Sequence, residues 1–461
     1  MRKSVGFLIV LGPFIVLAVL YSLTTSPIDS GRPLDIPATG PLTIALAGDV
    51  LFTGPLGTME RDQAFIAARS AVGSADVALA NLDMNLLGAE EALQADARPE
   101  PRWPYGSERD AVVLKRLGFD VVTLANDHAG DYGPDAVAST RRILDGIGFL
   151  HAGTGADLAA ARASASVGRV AVLAVAASSF PDARATPTRG DIAGRAGVSP
   201  LRYSADITVD AATFQTLRDS AAALNAGRPA GERELTMFGT PIKKGDRTSV
   251  EFLVNEADER EMLEAIKTAR ASADVVIVSL HAHEPSNASD EPAAFVVRFA
   301  RAAIDAGATI VVGHGPHRVR GVEAYKSGVI LYSLGNFLYR AERLDFRAAN
   351  LFDAGADLYQ AAIGALGGGP EARASVPDDP AWWESVLAVA TVEAGKVTGI
   401  RLIPLDLGAD KSLQTRGIPR MASADQSRRL FGRLTELSGV FGTRLRVEGG
   451  AAHLLVGGQA P

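Results

Sequence analysis

Five of the seven histidines in this chain lie in three short clusters: ANDHAGD (His128), LHAHE (His281 and His283) and GHGPH (His314 and His317). Each cluster follows an apolar run of the kind that forms a buried strand, so each stands at the C-terminal end of a strand. Two carboxylates hold the same kind of position, Asp49 in LAGDV and Asp83 in ANLD. In α/β sheets ligands gather in the crevice outside the carboxyl ends of the strands, which would bring all these groups to one place. Clustered carboxylates repel one another unless a cation lies among them. Nitrogen and oxygen donors without sulfur suit zinc, manganese or iron, and several Asp among the His suit two ions that share a carboxylate. Two such ions about 3.5–4 Å apart hold and activate a water while neutralising a phosphoryl or carbonyl oxygen. The expected cofactor is therefore a pair of divalent transition-metal ions, Mn, Fe or Zn.

Each residue also has a plainer explanation. A single His at a strand end is more often a hydrogen-bonded structural residue, and Asp49 in a Gly-Asp turn would cap that turn or a helix. Five of seven at three strand ends is a different pattern, and it favours the metal. His151, after GIGFL, is structural or a pocket edge, and His453 belongs to the surface. Glu284 is a ligand, a partner that orients a histidine, or an exposed loop acid. Asn336 in YSLGNF either ends a turn or reaches the site. The chain has no G-x-S-x-G elbow, no phosphate-binding G-x-x-x-x-G-K-[ST] and no H-E-x-x-H.

The elements that must position these groups read as an α/β domain beginning at Leu42. Strands are expected at 42–48, 76–82, 120–126, 169–177, 274–280, 309–315 and 329–335. Most are continuous apolar runs, so both sheet faces should be covered. Helices are expected at 108–118, ending at Gly118, and at 290–307, where a capping Asp290 precedes Phe295, Phe299 and Ala303 at i, i+4, i+8. A hairpin is expected over 384–407 with its turn at Ala394-Gly395-Lys396, then a helix near 423–438. Two insertions, 181–257 and 341–383, break the alternation; the first is polar and turn-rich apart from a helix near 211–225.

The 461 residues, 47 % hydrophobic and 21 % charged, are of ordinary globular composition. A net charge of −7 has the wrong sign for a nucleic-acid binder, so an acidic polymer could be bound only at a local site. With no Cys there are no disulfides and no thiolate ligands. Arg2 and Lys3 precede an apolar run from Val5 to Leu23, long enough to cross a bilayer core of roughly 30 Å. We expect residues 1–24 to be one transmembrane anchor helix, with a cleaved signal segment as the alternative, 25–40 a linker, and the bulk of the chain to be extracytoplasmic, since positive charge stays inside.

LTIALAGDVLFTG, ANLDMNL, LGFDVVTLANDHAGDYG, VIVSLHAHEP and AGATIVVGHGPHRVRGVEAYKSGVILYSLGNFLY together resemble the bacterial CapA family, the poly-γ-glutamate capsule-synthesis proteins. That family looks like a branch of the calcineurin-like metallophosphoesterases. The resemblance implies a four-layer α/β/β/α sandwich like that of metallo-dependent phosphatases, over residues 41–440, with 441–461 as a tail. By motif, Asp49 matches the first-strand ligand and Asp83 the carboxylate bridging two ions. Asn126, Asp127 and His128 match a ligating step with His128 near the substrate, and His281, His314 and His317 match the remaining imidazole ligands. The chain departs from the pattern in four places. Asp83 replaces Glu, Asp127 replaces Asn, LHAHEP replaces a His-Trp-Gly run, and Gly315 replaces a His; His283 and Glu284 then lie near the ions or the substrate. The function implied is synthesis, export or attachment of an anionic polymer such as poly-γ-glutamate, by metal-assisted hydrolysis or transfer, alongside other capsule-synthesis membrane proteins. An extracytoplasmic phosphoesterase and a non-catalytic polymer-binding subunit are the alternatives.

Overall fold

The computed structural model describes residue 34 and residues 36–454, apart from 54–55, 57–58, 97–103, 225–226, 230–231, 341–378 and 413–414. The expected anchor, 1–24, and most of the second insertion lie outside these residues. Among those described, no helix is long and apolar enough to cross a membrane.

Strands at the expected places build two sheets. In chain order we label β1 (Leu42–Phe52), β2 (Val77–Leu82), β3 (Val121–Thr123), β4 (Leu150–Ala152), β5 (Ala165–Val167), β6 (Val170–Ala176), β7 (Val275–His281), β8 (Ile310–His314), β9 (Val322–Tyr325), β10 (Gly328–Leu331), β11 (Asn336–Arg340), β12 (Glu384–Glu393), β13 (Lys396–Asp406), β14 (Leu445–Glu448) and β15 (Ala451–Leu454). The first sheet runs β14-β15-β13-β12-β1-β2-β3-β4, with β11 also alongside β1; the second runs β9-β10-β8-β7-β6-β5.

The continuous apolar runs have the physical cause expected of them. In β6, Val170, Val172 and Ala174 pack in one cluster with Leu42, Ile44 and Leu46 of β1 and Ile277 of β7, which fills the space between the sheets. The alternate residues Ala171, Leu173 and Val175 pack with Phe295, Phe299 and Ala303 of the helix Ala294–Asp305. On the far side, Ala45 and Ala47 of β1 pack with Leu114 and Leu117 of the helix Glu108–Leu117. Helices thus cover both outer faces of a pair of facing sheets. Gly118 caps the latter helix at φ 103°, where a side chain would be strained.

Three expectations need correction. Asp290 caps nothing: the helix starts at Ala294, and Asp290 instead meets Arg318 and Arg433. The first insertion is folded, with a five-stranded sheet built on Tyr203–Val209 and a helix Ala211–Ala223 sharing a small core of Val209, Phe214, Leu235 and Ile242. Its strands are short and carry exposed polar residues, so their apolar signal is weak. The stretch read as a tail supplies β14 and β15, which close one edge of the first sheet through pairs such as Leu402 with Ala452. His453 lies half-buried in β15, and His151 of β4 is tied to Asp145 at 3.0 Å.

Candidate metal centre

Strand register does much of the positioning. Parallel pairing of β7 with β8 sets His281 beside His314, and β1 sets Asp49 between Asn81 of β2 and Asn336 of β11. The strand ends of both sheets therefore empty donors into one crater. Asp49, Asp83, Asn126, His281, His314 and Asn336 expose 1 % of their surface or less.

Three sets of ligand atoms form there: Asp49 with Asp83 and His317, Asp83 with Asp127 and His128, and Asp127 with His281 and His283. Asp83 and Asp127 each belong to two sets, so neighbouring cations could share them. Asp127 lies 2.9 Å from His281 Nε2 and 3.4 Å from His283 Nε2. His314 Nδ1 approaches Asp49 at 3.2 Å.

Neither oxygen of Asp83 has a hydrogen-bond partner among the described residues, and neither does Asn126 Oδ1. A buried carboxylate without a partner costs several kcal/mol and is rarely tolerated. Burial accordingly raises the Asp83 carboxyl to about 7, with Asp49 adding repulsion and His281 opposing. Burial would raise Asp49 too, but His314, His317 and His281 hold it well below the ordinary carboxylate range. The donor set, oxygen and imidazole with orphaned carboxylate oxygens at its centre, fits divalent cations.

His128 stands apart in its chemistry. Burial alone would lower it, yet its hydrogen bond to Asp131 at 2.8 Å and the charges of Asp83 and Asp127 raise it to about 10. Burial pushes His317 the other way, to about 4, so that ring is neutral and suited to ligation. His317 has φ 56°, a conformation most residues avoid, and its ring stacks on Trp382 with centroids 4.3 Å apart.

Two residues with open alternatives find hydrogen-bond partners in the structure. Glu284 accepts from Ser178 Oγ and Tyr203 OH, so it braces the loop after β7 and the insertion. Asn336 Oδ1 lies 2.8 Å from His317 Nδ1 while its amide donates to the Trp382 carbonyl, so it holds the His317 ring in place. We expect Asn336→Ala to weaken metal binding about 10–100-fold with secondary structure intact, as read by metal titration and circular dichroism. Unchanged affinity would show that Trp382 alone fixes the ring.

Sequence reasoning missed Asn81. Its amide donates to Asp49 Oδ1 at 2.9 Å, and its own oxygen accepts from Asn126 at 3.1 Å, linking two candidate ligands. Asp131 was also missed, although it sits inside the ANDHAGD cluster.

Residues 43–341 match the family described as bacterial capsule synthesis protein PGA_cap, a span that contains every candidate ligand. The chain belongs to the PGA_cap family. A relative in Sinorhizobium fredii, designated uncharacterized protein y4sH, is 34 % identical over 357 residues, 73 % of this chain and 76 % of its own. A second relative, in Mycobacterium tuberculosis, bears the name "Probable polyglutamine synthesis accessory protein". It is 31 % identical over 257 residues, which is 54 % of this chain and 53 % of the relative. Among solved structures, the NAD nucleotidase of Haemophilus influenzae aligns with a TM-score of 0.31 at 10 % identity, over 86 % of this chain and 56 % of the nucleotidase. Membership of PGA_cap links the chain to capsule synthesis.

Proposed function

We propose that this PGA_cap protein carries out metal-assisted hydrolysis or transfer on an anionic capsule polymer, with poly-γ-glutamate the first candidate. In this reading the bulk of the chain faces outward from an N-terminal membrane helix and works beside other capsule-synthesis membrane proteins. The observation that supports it most is Asp83, a wholly buried carboxylate whose oxygens have no hydrogen-bond partner among the described residues, set with Asp49 and His317 within reach of one cation. Two divalent ions, when bound, would supply an activated water or acceptor and neutralise charge on the carbonyl or phosphoryl oxygen. The chain supplies the rest. Asp49, Asp83, Asp127, His281, His283 and His317, with His314 and Asn126 close by, would hold the ions. His128, kept protonated by Asp131, donates a proton to the leaving group.

The name of the mycobacterial relative favours a second reading, a non-catalytic accessory subunit. One assay separates the readings. Full-length protein loaded with Mn²⁺ or Zn²⁺ is incubated with poly-γ-glutamate and with generic phosphodiesters. Shortening or transfer of the polymer is the expected result. Turnover of phosphodiesters alone would make it a phosphoesterase, and polymer binding without turnover would leave the accessory role.

A further inference from the structure

Among the described residues, Arg320 is the largest side chain with no exposed surface. A guanidinium cannot shed its charge to escape burial, and burying it unsatisfied costs several kcal/mol. Among the described residues no carboxylate pairs with it. Its donors go instead to four carbonyls of one loop: Glu284 at 3.0 Å, His283 and Ser286 at 3.1 Å, and Ser289 at 3.2 Å. Charge-assisted bonds to backbone oxygens are about twice as strong as neutral ones, so the loop has little freedom to move.

That loop begins two residues after His281 and carries His283. It also carries Asn287, whose Oδ1 lies 2.7 Å from His283 Nδ1. Asn287 sits between Ser286, held by Arg320, and Ala288, whose carbonyl accepts from Arg318. The His283 N–H donates to Ser178 Oγ at 2.9 Å from the other side. An imidazole that donates from Nδ1 to Asn287 leaves Nε2 as the atom it can offer to a cation, and it is Nε2 that lies near Asp127 and His281. Arg320 itself follows His317 by three residues.

We infer that Arg320 is a positioning residue. It clamps residues 283–289 so that Asn287 presents His283 to the set with Asp127 and His281, and it ties that set to the segment bearing His317. This rests on the metal-binding reading of the crater. Its consequence is selective: the cation held by Asp127, His281 and His283 depends on the clamp, whereas the one held by Asp49, Asp83 and His317 does not.

The test is calorimetric titration of full-length protein with Mn²⁺, together with the visible spectrum of Co²⁺, which reports ligand geometry. Arg320→Met removes the charge. Arg320→Lys keeps it but cannot reach four carbonyls, and it guards against failure of the methionine variant to fold. We expect one of two ions to bind about 10–100-fold more weakly in both variants, the other within 2-fold of wild type, and one Co²⁺ band to shift. Asn287→Ala should reproduce the effect, and adding it to Arg320→Lys should weaken binding little further. Two ions bound as tightly as in wild type would overturn the clamp alone, as would equal weakening of both. A wild-type chain that binds no ion overturns the metal centre and the clamp with it.

Discussion

Asp83→Asn should cost about 10³-fold or more in any metal-dependent activity, and at the same time make the metal-free protein more stable above neutral pH. The first half follows from Asp83 lying with Asp49 and His317 in one ligand set: an amide brings no negative charge and a weaker donor oxygen to it. A bound cation contributes several kcal/mol to the stabilisation of a transition state, and each 1.4 kcal/mol is about tenfold. The second half follows from burial. Both Asp83 oxygens lack partners among the described residues, and the carboxyl is raised from 3.8 to about 7. Below pH 4 it is protonated in the folded and unfolded chain alike and has no effect on stability. As pH rises from 4 to 7 the unfolded chain releases this proton while the folded chain keeps it, so stability falls, and above 7 the loss is complete at roughly a few kcal/mol. Asparagine does not titrate. In excess chelator the melting temperatures of variant and wild type should therefore meet near pH 4 and diverge toward pH 8, with the variant higher. With metal restored the order should reverse. A variant less stable than wild type at every pH in chelator would mean that Asp83 has structural partners, and the case for a cation between Asp49 and Asp127 would go with it.

Most of the frame could be read from the sequence because its strands are buried on both faces. Nothing polar interrupts VAVLAVA and only Ser279 interrupts VVIVSL, and the helices between them end at glycines such as Gly118 that take a left-handed conformation. The histidines could be read for the same reason, since each of their three clusters directly follows an apolar strand. What escaped was polar groups inside the strands and long-range contacts. Asn81 follows Val77 and Leu79 at a spacing of two, so it points into the space between the sheets, where both of those residues pack. A polar side chain in a core-facing row is a signal, but it was hidden by the apolar residues on either side. Arg320 gave no local signal, because what it binds lies more than 30 residues away. The first insertion failed for a third reason. Its strands pair mostly with one another and bury one small core, so their side chains carry little of the continuous hydrophobicity that marks the main sheets.

Asp49 reaches the crater only because β1 breaks the spacing of two. Leu42, Ile44 and Leu46 face the other sheet, and unbroken alternation would turn Asp49 toward the helices, on the side of Ala45 and Ala47. The pairing of β1 with β2 slips between Leu46 and Asp49, after which Val50 faces the helices and Asp49 faces inward. Gly48 lies at the slip. A Cβ there would overlap the Gly335 carbonyl oxygen and stand 2.8 Å from its carbon. That oxygen accepts from the Asp49 N–H at 3.0 Å, and the next residue, Asn336, holds His317. Both colliding groups are backbone, so no side chain can swing away, and relief requires β1 and β11 to part. Gly48→Ala should then cost about 4 kcal/mol or more and release metal from the Asp49 side of the crater in whatever fraction still folds. Gly146→Ala is the matched comparison: that glycine is exposed in the helix Pro134–Ile147 with nothing within 4 Å of an added Cβ. There the same methyl should stabilise by about 0.5–1 kcal/mol, because alanine loses less backbone entropy in a helix. Denaturant midpoints of the two variants should move in opposite directions. If Gly48→Ala melts within a degree or two of wild type, the strands do not approach as closely as described, and the slip that aims Asp49 at the ions loses its physical basis.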